Sequence, residues 1–193
     1  EYPALSLGLP DEQYEREKNL ITHPEVRAVT LAKLQLRPGV LWDLGAGSGS
    51  VGIEAAGLVP DLSVQSVEKN PQRCAMIENN RNTHGLANLT LWPLTITDAL
   101  PRLPDPDFIF IGGGGREIGN LVTQCFTRLR PGGRLVASAI LADSVSQLSA
   151  ALPDHRCEWI EIAIRRAKPL AHSSIPQMDN PIQLFVFEKP LHP

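Results

Sequence analysis

The sequence predicts an α/β domain of the Rossmann-like type, with a seven-stranded, mostly parallel sheet whose last strand is antiparallel. From residue 40 onward, short apolar segments that suit strands alternate with segments that suit helices, which is typical of a parallel sheet covered on both faces. A glycine-rich loop directly follows the first strand. The last two strands have no helix between them. Because parallel neighbours need a long crossover, usually a helix, these two strands are predicted to be antiparallel neighbours.

The chain divides into an N-terminal arm, residues 1–21, and a domain over residues 22–193. The arm is polar and is predicted to lie outside the core. Thr22 and Glu25 match a capping box, in which each side chain hydrogen-bonds the backbone N–H of the other residue. A first helix is therefore predicted to begin here and to end before Pro38–Gly39.

The remaining elements follow from apolar runs and from turn residues. Strands are predicted over residues 40–44, 62–67, 89–92, 108–111, 134–140, 158–164 and 182–188. Helices are predicted from the glycine loop to about residue 58, from the cap Asn70–Pro71 to about residue 82, over 118–129 and over 144–152. Residues 166–181 are predicted to be a loop.

Composition narrows the possible partners. The net charge of -3 gives no general attraction to nucleic acid or to an anionic membrane, so neither is expected as a partner. No apolar run reaches the roughly 18 residues of a membrane span. Cys74, Cys125 and Cys157 lie far apart, which predicts reduced, buried thiols in a cytoplasmic protein. His and Cys never occur at zinc-ligand spacing, so no metal site is expected.

The strongest candidate site is the loop after the first strand. Asp43 lies near the end of that strand, two residues before the first glycine, and a helix follows the loop. Glycine lets a ligand approach the backbone, and the free N–H groups of a helix start favour an anionic group. We expect the loop to bind the carboxylate of S-adenosylmethionine and Asp43 to hold the ammonium end of the same ligand. The loop consists of Gly45, Ala46, Gly47, Ser48 and Gly49.

Two further segments complete a cofactor site. Glu68 ends the second strand, where a carboxylate can accept hydrogen bonds from both ribose hydroxyls. Thr95 and Ile96 follow the third strand, and Ile96 is predicted to form an apolar wall beside the adenine ring. The competing cofactor is NAD, since Gly47–Gly52 matches GxGxxG. That match begins two residues late for a dinucleotide loop, which favours S-adenosylmethionine.

Six sequence segments together resemble the decarboxylating precorrin methyltransferases of cobalamin biosynthesis, the CbiT proteins and the C-terminal domain of CobL. The glycine motif is common to many methyltransferases, whereas the Leu-Ile-Thr and Ile-Gly-Gly segments are more specific. The segments are Gly-Leu-Pro-Asp at 8–11, Leu-Ile-Thr at 20–22, Glu-Val-Arg at 25–27, residues 41–51, Phe-Ile-Phe-Ile-Gly-Gly at 108–113 and Asn-Pro-Ile at 180–182.

The resemblance implies a reaction and an assembly. Its members use S-adenosylmethionine to methylate C15 of a precorrin and remove the carboxylate of the C12 acetate side chain, which converts precorrin-6B to precorrin-8. In the longer members, a companion N-terminal domain methylates C5. The first residue here is Glu1 rather than Met, which leads us to expect such a domain in a longer protein. Relatives are often homotetramers, so a homo-oligomer is expected.

The resemblance also implies site residues. Thr22, the loop 45–49, Glu68 and Ile96 fall on the cofactor-contact positions of the family. Two departures occur: His23 stands where the family commonly has Lys, and Leu94-Thr95-Ile96 replaces the usual Gly-Asp-Ala. The second departure argues against an acidic contact to adenine but leaves backbone contacts open.

Candidate substrate residues are glycines and cations. Four successive glycines, residues 112–115, follow the fourth strand and suggest a backbone opened for a ligand. Gly112 is assigned to the cofactor. Guanidinium groups suit carboxylates of a macrocycle. The substrate candidates are Gly113, Gly114, Arg116, Arg166 and His172. No proton donor for decarboxylation is assigned; the acidic candidates are Asp98, Asp105, Asp107 and Glu117.

Three other functions fit parts of the pattern. A methyltransferase acting on another small molecule, RNA or protein would share the cofactor residues, but the net charge does not suit RNA. An NAD-binding oxidoreductase fits the loop less well. A non-enzymatic module that binds S-adenosylmethionine is disfavoured by the intact loop and Glu68.

Overall fold

The computed structural model of the chain describes residues 7–17, 21–112, 115–170 and 173–191. The helices are α1 Pro24–Leu34, α2 Ser50–Leu58, α3 Pro71–Thr83, α4 Ile96–Ala99, α5 Ile118–Arg128 and α6 Ala142–Ala150. The strands are β1 Gly39–Leu44, β2 Leu62–Val67, β3 Leu89–Trp92, β4 Phe108–Ile111, β5 Arg134–Ala139, β6 Arg156–Ile162, β7 Arg165–Leu170, β8 Ser173–Met178 and β9 Ile182–Glu188.

The main sheet has seven strands in the order β3-β2-β1-β4-β5-β9-β6. Strands β1 to β5 pair in parallel. Strand β9 inserts between β5 and β6 and is antiparallel to both. The predicted fold class, including the antiparallel last strand, is therefore confirmed. Leu44 pairs with Val67 and with Ile111, so β1, β2 and β4 end together at one edge of the sheet.

Hydrophobic cores lie on the two faces of the sheet. Successive strand residues point to opposite faces, so Leu41 and Phe110 belong to one buried cluster while Trp42 and Ile109 belong to the other. This two-sided burial explains why the central strands are continuous apolar runs that the sequence shows clearly. No helix of the described residues is long and apolar enough to cross a membrane.

The start of α1 differs from the prediction. The helix begins at Pro24 with His23 at its N-cap, and no side chain caps it. The Thr22–Glu25 capping box is therefore wrong. Pro24 has no N–H to satisfy at this first position, and Glu25 instead forms an ion pair with Arg166.

The segment predicted as a loop after residue 166 is largely a β-hairpin, in which β7 and β8 pair antiparallel from Arg165↔Met178 to Leu170↔Ser173. The residues 165–167 and 175–178 are exposed. Because these residues are all exposed, they lack the alternation of buried apolar and exposed polar residues that predicts a strand.

The predictions about the burial of the arm and of the cysteines are wrong in part. The arm contributes to the core, because Leu9 and Tyr14 are only 7% and 4% exposed. Of the three free cysteines, Cys74 and Cys125 are buried as predicted, but Cys157 is exposed.

Candidate active site

The glycine loop lies at the carboxyl edge of the sheet, between β1 and α2. Gly45, Gly47 and Gly49 have φ angles of 72°, 61° and 77°, a region that side-chain-bearing residues rarely adopt. The N–H groups of Gly45 and Ala46 both donate to the carbonyl of Val67, at 2.9 and 3.0 Å. The start of the loop is thus fixed to the end of β2.

Asp43 supports this loop from inside the protein. Its side chain is fully buried, and its Oδ2 accepts a hydrogen bond from the Gly52 N–H at 3.1 Å. Burial raises the pKa of Asp43 to about 7. The carboxyl group does not line the cavities described below. The predicted direct contact with a ligand ammonium is therefore corrected: Asp43 holds the turn from the loop into α2.

Glu68 connects the loop to α3. Its Oε2 accepts from the Gly47 N–H at 3.0 Å, and its Oε1 accepts from the Asn70 N–H at 2.9 Å. Asn70 caps α3 as predicted, accepting from the N–H groups of Gln72 and Arg73. Each carboxylate oxygen has two acceptor positions, so Glu68 can accept hydrogen bonds from a ligand without releasing the loop.

Two cavities open at this edge and share Gly45, Arg73 and Gly115 in their walls. The smaller cavity, about 320 Å³, lies at the ends of β2 and β3, and the larger, about 880 Å³, lies between the arm, β4, β5 and α6. Of the predicted residues, the smaller cavity is lined by Glu68, Thr95 and Ile96. The larger cavity is lined by Thr22, Ala46, Gly47, Ser48, Gly112 and Arg116.

Besides Asp43, the structure places two predicted site residues away from the cavities. Gly49 packs against α3, since a Cβ there would come within 3.0 Å of Ile77. Arg166 makes a bidentate contact with Glu25 at 2.9 and 2.7 Å, and this contact lowers the pKa of the Glu25 carboxyl. Neither residue lines a cavity, so the prediction that Arg166 grips the substrate is not supported by its position. Gly113, Gly114 and His172 lie outside the described residues.

None of the four acidic candidates lines a cavity, and three of them, Asp98, Asp105 and Asp107, contact other side chains. Asp98 bonds Thr95 at the start of α4, at 2.7 Å between side-chain oxygens. Asp105 and Asp107 pair with Arg128 and Arg130. Within the described part of the chain, the acidic side chain in the wall of the larger cavity is instead Asp143.

Sequence reasoning missed several residues of the larger cavity. Ile140 and Leu141 follow β5 and are 54% and 70% exposed. An apolar pair directly after the carboxyl end of a strand is a usable signal. It was missed because Ile140 was predicted to be the last residue of the strand. Arg73 lies on α3, and its Nε is 2.9 Å from the Glu17 carboxylate of the arm. No sequence pattern showed that this helix residue faces the cavities.

A buried ion-pair network ties the arm to α1 and α2. Arg27 and Glu54 are both fully buried, and the Arg27 Nε donates to Glu54 at 2.6 Å. Arg27 also donates to Asp11 at 3.0 Å and to the backbone carbonyls of Leu9 and Thr22. The network therefore fixes the segment that brings Thr22 to the larger cavity.

Fold and site together define a class I methyltransferase: a parallel sheet with an antiparallel strand inserted beside β5, a glycine loop after β1 and a carboxylate after β2. The chain belongs to the precorrin methyltransferase domain family, whose model matches residues 12–189.

Known relatives agree with this assignment. The chain is 41% identical over 171 residues to a precorrin-6Y C(5,15)-methyltransferase [decarboxylating] of Sinorhizobium sp, covering 86% of this chain but only 40% of that protein. It is 32% identical to a cobalt-precorrin-6B C(15)-methyltransferase (decarboxylating) of Salmonella typhimurium, covering 94% and 96% of the two chains. A crystal structure of precorrin-6y C5,15-methyltransferase from Geobacter metallireducens superimposes with a TM-score of 0.89 at 34% identity, covering 98% and 100%.

Proposed function

We propose that the protein transfers one methyl group from S-adenosylmethionine to C15 of a precorrin, with precorrin-6B as the substrate, and removes the carboxylate of its C12 acetate chain as CO2. The observation that carries this proposal is the meeting of the glycine loop and Glu68 at one cavity edge, in a chain of the precorrin methyltransferase family. The relatives' names supply the substrate class.

The residues fit the proposed cofactor at both ends. The ribose hydroxyls would donate to Glu68, which keeps acceptor positions on both oxygens, and the adenine would lie against Ile96 in the smaller cavity. The loop 45–49 would hold the methionine end at the start of α2. When bound, S-adenosylmethionine supplies a methyl group on a positively charged sulfur.

The larger cavity suits a flat, polycarboxylate macrocycle. Ile140 and Leu141 form an apolar surface in the wall of this cavity. Arg73 and Arg116 can form ion pairs with carboxylates of the substrate. The backbone at Gly112 lies close to the Phe110 ring, which a Cβ would approach to 2.9 Å. Methyl transfer to an electron-rich ring needs mainly alignment, and the conjugated ring can accept the electrons released with CO2. These walls can align the substrate with the cofactor, and the reaction needs no covalent nucleophile. The carbon that loses CO2 must in addition receive a proton.

We also propose that the protein is a cytoplasmic homotetramer and that a C5-methyltransferase domain precedes it in a longer protein. The similarity to the longer Sinorhizobium relative supports such a domain, because the chain covers 40% of that relative. The similarity to the Salmonella relative, of which the chain covers 96%, supports activity of this domain by itself.

Mass spectrometry after incubation with S-adenosylmethionine and precorrin-6B tests the proposed reaction. We expect a product that has gained one methyl group and lost CO2, and we expect no product when the methyl donor is omitted. An unchanged tetrapyrrole, with wild-type protein that binds S-adenosylhomocysteine, would refute the substrate and leave the cofactor site intact.

A further inference from the structure

Asn80 is a buried amide that touches both the glycine loop and the arm. It lies on α3 and is 2% exposed. Its Nδ2 donates to the carbonyl of Ser48 at 3.0 Å and to the carbonyl of Glu15 at 2.8 Å. Its Oδ1 accepts from the Glu15 N–H at 2.7 Å. One side chain thus joins two segments that are far apart in sequence.

Asn80 contacts the glycine loop at a point where the loop backbone can adopt many conformations. Ser48 lies between Gly47 and Gly49, and glycine permits the flanking peptides to rotate. Glu68 fixes the loop through the Gly47 N–H. Asn80, on α3, fixes the carbonyl of the next residue, Ser48. The orientation of the loop backbone toward a ligand therefore depends on both residues.

The contact with the arm is reinforced along α3. The Glu15 carboxylate accepts from Asn79 at 2.8 Å, and Glu17 pairs with Arg73 at 2.9 Å. Tyr14 is buried and its ring lies against His84. Residues 14–17 thus run along α3, and the ion pair at their end includes an arginine that lines both cavities.

We propose that Asn80 is a positioning residue that couples the N-terminal arm to the glycine loop and thereby sets the affinity for the cofactor. It lines neither cavity, so it acts through the Ser48 carbonyl and the arm. A loop held in its binding conformation avoids the entropy cost of being ordered by the ligand. The inference rests on the proposed cofactor site.

Asn88 provides a matched control. Its Nδ2 also donates to backbone carbonyls, those of Ala56 at 3.0 Å and Leu62 at 2.9 Å, but at the opposite end of α2 from the loop. Neither cavity includes it. Replacing either asparagine by alanine leaves buried carbonyls without a donor, so both variants are expected to lower the unfolding temperature.

The test is calorimetric titration with S-adenosylhomocysteine. We expect Asn80→Ala to weaken binding about tenfold and Asn88→Ala to change it less than about twofold. Hydrogen exchange should also show faster exchange at the Glu15 amide in Asn80→Ala alone. If Asn80→Ala fails to fold, Asn80→Asp replaces it; it retains an acceptor for the Glu15 N–H but lacks the donors, and the same weakening is expected.

Equal affinity of the folded Asn80 variant and the wild type would overturn the inference, as would equal weakening by Asn88→Ala. The first result would assign Asn80 a stabilising role only, and the second would show that any loss of stability weakens binding. Wild-type protein that does not bind S-adenosylhomocysteine would instead refute the proposed cofactor site.

Discussion

At the scale of single residues, Glu68 and Asp43 show how two carboxyl groups near one loop take different roles. Glu68 stands in a cavity wall and accepts from two backbone N–H groups. Asp43 is fully buried and accepts from one. The sequence placed both at the carboxyl ends of adjacent strands. It could not show which carboxyl group lines a cavity, because the burial of Asp43 depends on the Gly52 N–H and on the packing around it.

Glu68→Ala is expected to weaken binding of S-adenosylmethionine at least about tenfold while the protein stays folded, because a charged hydrogen-bond acceptor for the ribose is lost. Calorimetry measures the affinity, and circular dichroism checks the fold. Glu78→Ala, which removes a carboxylate from the same region at the surface of α3, is the control and should bind normally. Unchanged affinity of Glu68→Ala would remove Glu68 from the site.

Asp43 gives a pH-dependent stability. Burial raises its pKa to about 7, whereas an ordinary Asp titrates at about 4. Between these values the folded protein holds a proton that the unfolded chain releases, so the unfolding free energy falls as pH rises. Asp43→Asn keeps an oxygen acceptor for Gly52 but does not titrate.

Urea unfolding at several pH values tests this prediction. Relative to Asp43→Asn, the wild type should lose at least about 1.4 kcal/mol of unfolding free energy between pH values of about 4 and 7, the equivalent of one pKa unit. Parallel stability profiles for the two proteins would show that Asp43 has an ordinary pKa.

At the scale of elements, the arm and the helices α1 and α2 form one unit around Arg27 and Glu54. Residues 1–21 were predicted to be an arm because they follow no regular helix or strand pattern. Leu9 and Tyr14 are nevertheless buried. Their burial depends on an ion pair whose members are distant in sequence, and periodicity within one segment carries no information about such a contact.

Arg27→Met is expected to lower the unfolding free energy by about 3–5 kcal/mol, because it leaves the Glu54 carboxylate buried without its partner. Arg81→Met is the comparison, since Arg81 pairs with Glu78 at the surface of α3 and such pairs contribute about 0–1 kcal/mol. Chemical denaturation measures both values. Similar losses in the two variants would contradict the structural role of the buried pair.

At the scale of the whole molecule, the sequence predicted those strands that a local pattern of apolar residues defines. Strands β2, β3, β4 and β9 were predicted to the residue, because buried apolar runs bounded by turns define them. The hairpin β7–β8 was missed because its described residues are exposed and carry no apolar alternation. Glu68, Ile96 and the loop residues 45–48 line the cavities, since the topology brings strand ends to one edge, and their contact with a cofactor stays a prediction. The positions of the Arg73 and Arg166 side chains depend on side-chain contacts that the sequence does not reveal.

A crystal structure of the protein with S-adenosylhomocysteine tests the central claim most directly. We predict the amino-acid end against the loop 45–49, the ribose hydroxyls within hydrogen-bonding distance of the Glu68 carboxylate and the adenine beside Ile96. A ligand bound elsewhere, or one whose ribose makes no contact with Glu68, would contradict the account.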